Sequence, residues 1–182
     1  MRSISDECKE KILLKSLIAL ALFSEMSLAE QVNFSGNLVA EPCDIQPGNT
    51  PVEVRFGAIN VKELYSNGQT APQPVNLTLL NCDLSIATSV SATFTGNDNG
   101  NGLQGYLSFS PGSSASGAAI GIMTPSGNLL PLGTTSPQYT LSTGTTQLNF
   151  TAIVKAEPQA QADNTIKAGN FDATSTLVFN YQ

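Results

Sequence analysis

Short runs in which hydrophobic and polar residues alternate recur along the chain, separated by turn-forming residues. Successive side chains of a strand point to opposite faces of a sheet, so each run predicts a half-buried β-strand. No long stretch carries the 3.6-residue period of an amphipathic helix. The predicted strands lie in QVNFSGNLVA, PVEVRFG, PVNLTLL, SVSATFTG, QLNFTAIVKA and GNFDATSTLVFNYQ.

The final predicted strand, residues 169–182, runs to the last residue of the sequence. Its opposite face is polar apart from Val178, and Ser175 is the polar exception on the apolar face. Ends of domains are usually frayed and polar, so a half-buried strand at this place requires an explanation. The apolar face consists of Gly169, Phe171, Ala173, Leu177, Phe179 and Tyr181.

The segments between the predicted strands are rich in Gly, Pro, Asn and Ser. Many short strands with such turns are typical of a β-sandwich or β-barrel. AIGIMTPSGNLLPL predicts two short strands around a Ser-Gly-Asn turn, and SPGSSASGAA predicts a surface loop. There is no linker, so the pattern predicts one all-β domain.

Residues 1–29 have the features of a secretory signal peptide. Lys9, Lys11 and Lys15 give a basic flank, Leu17 to Phe23 is an apolar run, and Ser27 and Ala29 are small residues at the cleavage site. The apolar run is too short to span a bilayer. The alternative is a buried N-terminal helix. Cleavage leaves residues 30–182, the length of a single domain.

Cys43 and Cys82 are the two cysteines that remain after the leader is removed. An even pair in an exported protein predicts a disulfide formed in an oxidising compartment. The alternatives are a metal site or a reactive thiol. A metal site has little support, because the chain contains no His and no second cysteine pair.

The charge and the missing residue types exclude several classes of function. The leader carries equal numbers of basic and acidic residues, so the net charge stays at −6 without it. This charge argues against nucleic acid and against insertion into or binding to anionic membranes. Without His there is no Ser-His or Cys-His pair, and Asp98 in GNDNGNG lacks the remaining ligands of a calcium loop. We therefore expect no enzyme activity, no metal and no cofactor.

Several motifs, taken in order, resemble those of chaperone–usher pilus subunits of the type 1 fimbrial kind. The resemblance begins at FSGNLVAEPCDI, continues at VNLTLLNCDL around the second cysteine, and includes VSATFTG and GAAIGIMTPSGNLLPL. It is most specific at the end of the chain. There Gly169 is the fourteenth residue from the end and Tyr181 is the penultimate residue, as in that family.

The resemblance implies an immunoglobulin-like β-sandwich that lacks its final strand. A groove beside the last strand would be filled first by a periplasmic chaperone and then by the N-terminal arm of the next subunit, which is β-strand addition. The implied edge is residues 169–182, in which a chaperone would hold the Gln182 carboxylate with basic residues. The implied arm is residues 30–41, with Val32, Phe34, Gly36 and Leu38 as its alternating row.

The implied function is that of a structural subunit of a fimbrium that supports cell adhesion. Its partners would be the chaperone, an outer-membrane usher and neighbouring subunits, and it would reach the cell-surface fimbrium through the periplasm. The alternative is a secreted or tip-located lectin-like adhesive module. Cleavage after Ala29 leaves a short arm, which is more like that of minor tip-adaptor subunits.

Overall fold

A computed structural model describes residues 35–36, 40–46, 48 and 51–182 of the chain. The predicted leader and most of the predicted arm, including Val32, Phe34 and Leu38, lie outside these residues. The two sheets, the groove and the disulfide described below all belong to one compact unit, residues 39–182.

Two antiparallel sheets face each other. The first sheet has the order β1-β2-β6-β4, and the second has the order β5-β3-β7. The strands of the first sheet are β1 (Asp44–Gln46), β2 (Gln73–Cys82), β4 (Ala118–Met123) and β6 (Gly144–Ala156). Those of the second sheet are β3 (Ser89–Thr95), β5 (Tyr139–Thr140) and β7 (Thr176–Tyr181). The last strand therefore lies at an edge, paired with β3 alone.

The core lies between the sheets and consists of the apolar positions predicted from the alternation. Phe94 of β3 meets Phe150 of β6 edge to face, with ring centroids 5.2 Å apart. This geometry is favourable for two aromatic rings. The inward-facing residues that are almost fully buried include Leu77, Leu79, Val90, Ala92, Leu148 and Val154.

Three sequence predictions of local structure need correction. PVEVRFG forms no strand, because no strand of the described chain lies close enough to pair with it. The second strand after the Ser-Gly-Asn turn is reduced to one bridge between Met123 and Leu129. The last strand begins at Thr176 rather than near Gly169.

Two short helices were not predicted, because neither is long enough to show a period. Helix α1 (Val61–Asn67) begins where the Asn60 side chain accepts a hydrogen bond from the Lys62 N–H, and ends at Gly68 in the left-handed conformation. These are the usual N-cap and C-cap signals. Helix α2 is Pro158–Ala162. Within the described residues, no helix is both long and apolar enough to span a bilayer.

Cys43 and Cys82 form a disulfide, as predicted. The bond joins the residue before β1 to the last residue of β2, and the Asp83 N–H donates to the Pro42 carbonyl oxygen beside it. Both cysteines are buried in the core.

We predict that this disulfide forms fully in the exported protein and stabilises the fold. Closing a loop of 39 residues contributes about 4 kcal/mol to the free energy of unfolding in the chain-entropy model. Alkylation in denaturant without reductant, followed by intact mass measurement, should add no alkyl group to residues 30–182. The addition of two groups would contradict the assignment. A Cys43→Ala/Cys82→Ala variant should unfold at a lower denaturant concentration.

Candidate functional site: an open groove between the sheets

A groove with a volume of about 610 Å³ opens between the two sheets on the side of β7. Its floor is apolar and belongs to the core of the sandwich. Two stretches of chain form its edges, residues 51–56 on one side and residues 171–177 on the other. The floor residues are Val75, Leu77, Phe94, Leu107, Ile120, Ile122 and Ala152.

The core is incompletely covered along the β7 edge. From Phe171 to Gln182, partly buried and exposed residues alternate without a break, and none of them is fully buried. In the adjacent strand β3, by contrast, Val90 and Ala92 are 0% exposed. The apolar face of the last strand is therefore only partly covered by the rest of the chain.

The free edge of β7 also presents unpaired backbone groups. Gln182 and Ser89 exchange both backbone hydrogen bonds, each 2.9 Å long. In an antiparallel ladder such pairs alternate, so the even-numbered residues of β7 bond to β3. The N–H and C=O groups of Leu177, Phe179 and Tyr181 therefore point away from β3. No described strand pairs with them.

The opposite edge of the groove is also only partly buried, and its backbone also lacks partners among the described residues. Val54 and Phe56 are partly buried, whereas Glu53 and Arg55 are exposed and form an ion pair 2.6 Å long. Among the described residues, no backbone–backbone hydrogen bond involves residues 51–59. The sequence pattern PVEVRF therefore marks a second edge of the groove.

Phe171, which lines the groove, packs against two other phenylalanines. Phe171 stacks on Phe109, with ring centroids 4.5 Å apart, and Phe56 approaches Phe171 from the other edge at 6.0 Å. Beyond this cluster lies a separate small pocket of about 60 Å³, which Gly169 and Leu64 help to line.

Gly169 lies against the loop that contains Ser114. A Cβ atom at this position would lie 2.5 Å from the Ser114 Oγ and 2.8 Å from the Ala115 nitrogen. Only glycine permits so close an approach. This contact supplies a physical reason for a glycine at the fourteenth position from the end.

Two buried tyrosine hydroxyls lie near the other end of β7. Tyr139 and Tyr181 both pair with Val90, from opposite sides of β3. Neither hydroxyl has a hydrogen-bond partner among the described residues. Burial raises the pKa of both phenols, and the nearby Glu41 carboxylate raises the pKa of Tyr181 further.

The terminal residue is tied to the sheet by its backbone. The main-chain oxygen of Gln182 accepts hydrogen bonds from the Thr88 and Ser89 N–H groups, at 2.7 and 2.9 Å. The residue is otherwise exposed.

The structure places the predicted edge residues in three groups. Phe171, Ala173 and Leu177 line the groove. Gly169 lines the small pocket instead. Phe179 and Tyr181 are half-buried against the core but do not line the groove. Of the predicted arm, Gly36 is described and exposed.

Asp98 has a structural role in its loop. Its carboxylate accepts hydrogen bonds from the Gly100 and Gly105 N–H groups, which fixes the turn. In the described part of the chain, no group of three or more His, Cys, Asp or Glu side chains is arranged to hold a metal ion.

The sequence and the fold were compared with those of known proteins. The family model described as fimbrial protein matches residues 32–182. Fimbria A protein of Serratia marcescens is 30% identical over 178 residues, covering 94% of this chain and 98% of that protein.

Two solved structures have a similar fold. The P pilus rod subunit PapA has a TM-score of 0.65 at 24% identity, covering 78% of this chain and all of that one. A subunit in a chaperone–usher pilus has a TM-score of 0.64 at 25% identity, covering 86% and 97%. Together with the two open sheets, these likenesses confirm the predicted incomplete immunoglobulin-like sandwich.

We predict that Gly169→Ala destabilises the chain because the added methyl group overlaps Ser114 and Ala115. Overpacking of this kind costs about 1–3 kcal/mol, so the melting temperature of residues 30–182 should fall by several degrees. Gly112→Ala is the matched control, since a Cβ at Gly112 would meet nothing within 4 Å. Equal melting temperatures for the two variants would contradict the close approach.

We predict a loss of stability at high pH that depends on Tyr139. Its pKa in the folded chain is raised above the unfolded value of about 10, so its contribution is fully present below pH 10. That contribution is lost as the pH rises through the folded pKa. Urea unfolding at pH 8 and pH 11 should show a smaller loss for Tyr139→Phe than for the wild type. An identical loss in both proteins would argue against a buried phenol.

Proposed function

The chain belongs to the family of fimbrial proteins and is a structural subunit of a chaperone–usher fimbrium; we propose that it polymerises by accepting a strand from a neighbouring subunit into the groove beside β7. The resulting fibre is a surface structure of the cell that supports adhesion. The proposed role is mechanical and involves no catalytic step.

The observation that carries the proposal is the unfinished core at the β7 edge. Within the described chain, no strand pairs with the N–H and C=O groups of Leu177, Phe179 and Tyr181, and the three side chains are only half-buried. Unpaired edges that remain accessible promote pairing with another chain. An extended segment with alternating apolar residues would supply what this edge lacks. Its backbone would pair with the edge, and its side chains would enter the groove.

The segment proposed to enter is residues 30–41 of the next subunit. Its row of Val32, Phe34, Gly36 and Leu38 alternates with polar residues, which matches a groove that is apolar below and open to solvent above. The incoming strand would lie between residues 51–56 and residues 171–177. It would thereby provide hydrogen-bond partners for both edges.

We further propose that a periplasmic chaperone occupies the groove first and that an outer-membrane usher then exchanges it for the arm of another subunit. The exposed Gln182 carboxylate is suited to an ion pair with basic residues of that chaperone. Residues 1–29 would direct export to the periplasm and would be removed there. Each of these steps rests on the family membership and on the accessible groove.

The decisive experiment adds the missing strand to the same molecule. Residues 30–41, fused after Gln182 through a short flexible linker, should make residues 30–182 a soluble monomer that melts well above the unfused chain. Burial of three large apolar side chains gives about 5–9 kcal/mol gross, before ordering costs. The intramolecular connection removes most of the association cost. Size-exclusion chromatography and calorimetry measure both outcomes.

The matched control carries Phe34→Asp in the added segment only. A buried, unpaired carboxylate costs several kcal/mol, so this variant should lose most of the gain in melting temperature. If the unfused chain is already a stable monomer that the added segment does not stabilise, the sandwich is complete without a partner and the proposal is wrong.

A further inference from the structure

The serine-rich loop, residues 110–116, lies alongside residues 167–172, immediately before β7. Ser116 and Lys167 exchange both backbone hydrogen bonds, at 3.3 and 3.0 Å. The Ser114 N–H donates to the Asn170 carbonyl oxygen at 2.9 Å, and the Ser110 N–H donates to the Asp172 carbonyl oxygen at 2.7 Å. The loop therefore provides the donors that a neighbouring strand would provide.

Two side chains of the loop provide the matching acceptors. The Asn170 N–H donates to the Ser114 Oγ at 2.9 Å, and the Asp172 N–H donates to the Ser113 Oγ at 3.1 Å. In a β-ladder these N–H groups would bond to carbonyl oxygens of the adjacent strand. Hydroxyl oxygens take their place here, so Asn170 and Asp172 are satisfied as though they were paired with a strand.

This arrangement continues the alternation found in β7. The even-numbered residues bond to β3 from Thr176 onward, and Asn170 and Asp172 bond to the serine loop on the same side of the segment. The backbone groups of Phe171 and Ala173 must then point toward the groove. In the described chain, neither residue takes part in a backbone–backbone hydrogen bond.

We propose that Ser113 and Ser114 are positioning residues that extend the strand-accepting edge from Thr176 back to Phe171. This inference rests on the proposed function, because it concerns the edge that receives the donor strand. Ser113 and Ser114 touch no incoming strand themselves. They hold Asn170 and Asp172, and thereby aim the N–H and C=O groups of Phe171 and Ala173 at the groove.

The test uses residue-resolved amide hydrogen exchange on residues 30–182, with and without residues 30–41 fused after Gln182. In the wild type, the fused segment should slow exchange at Phe171, Ala173, Leu177 and Phe179. In Ser113→Ala/Ser114→Ala, the protection of Phe171 and Ala173 should fall by roughly 5- to 100-fold, as expected when the Asn170 and Asp172 N–H groups lose the two hydrogen bonds that they donate to the hydroxyls. Leu177 and Phe179 should remain protected, which also reports that the variant is folded.

Ser110→Ala/Ser116→Ala is the matched control. It removes two hydroxyls from the same loop, and neither hydroxyl makes a hydrogen bond among the described residues, so protection at Phe171 should be unchanged. The single variant Ser113→Ala, which removes hydroxyl contacts with Asp172 alone, provides a milder test if the double variant does not fold.

The outcomes separate the two proposals. The serine proposal is wrong if the fused segment protects Phe171 and Ala173 equally in the wild type and in the Ser113/Ser114 variant. Strand acceptance still stands in that case if Leu177 and Phe179 are protected in every variant. If the segment protects none of these residues in the wild type, strand acceptance itself is overturned, and the serine proposal with it.

Discussion

Among the described strands, β7 has a backbone partner on one side only, and the architecture of the groove follows from this constraint. A strand that ran through the middle of a sheet would satisfy its N–H and C=O groups on both sides and bury its apolar face. Here Leu177, Phe179 and Tyr181 are left half-buried, and a groove lined by core residues opens beside Leu177. In the proposed function a second molecule would complete the fold, so folding and polymerisation would draw on the same surface.

An unfinished core is useful only if its edges keep their shape without the missing strand. On the β7 side, pairing with β3 fixes residues 176–181 of the edge. Hydrogen bonds to the serine loop fix Asn170 and Asp172. Gly169 permits the close contact. Phe109 stacks on Phe171 of the same edge. The groove is therefore preorganised by contacts within the described chain.

Alternation in the sequence predicted strands such as β2, in which Val75, Leu77 and Leu79 are buried while the residues between them are exposed or partly exposed. The disulfide and the family resemblance are confirmed, and the family match does not favour the lectin-like alternative. The alternation at residues 51–56 predicts a strand, and this prediction is wrong because hydrogen bonding requires a neighbour that the described chain lacks. The pattern at residues 110–116 predicts a surface loop but not its hydroxyl contacts, because those contacts depend on residues far along the chain. The edge and arm residues remain predictions.

The disulfide has a mechanical consequence for a fibre assembled as proposed. Tension between subunits would enter each sandwich through the arm that precedes Cys43. The covalent bond passes this load directly to Cys82, at the end of β2, which is paired along its length with β6. The three-residue strand β1 lies beyond that junction, so its few hydrogen bonds would carry none of the pull. The load would be spread over the longest ladder among the described strands, where many hydrogen bonds would have to break together.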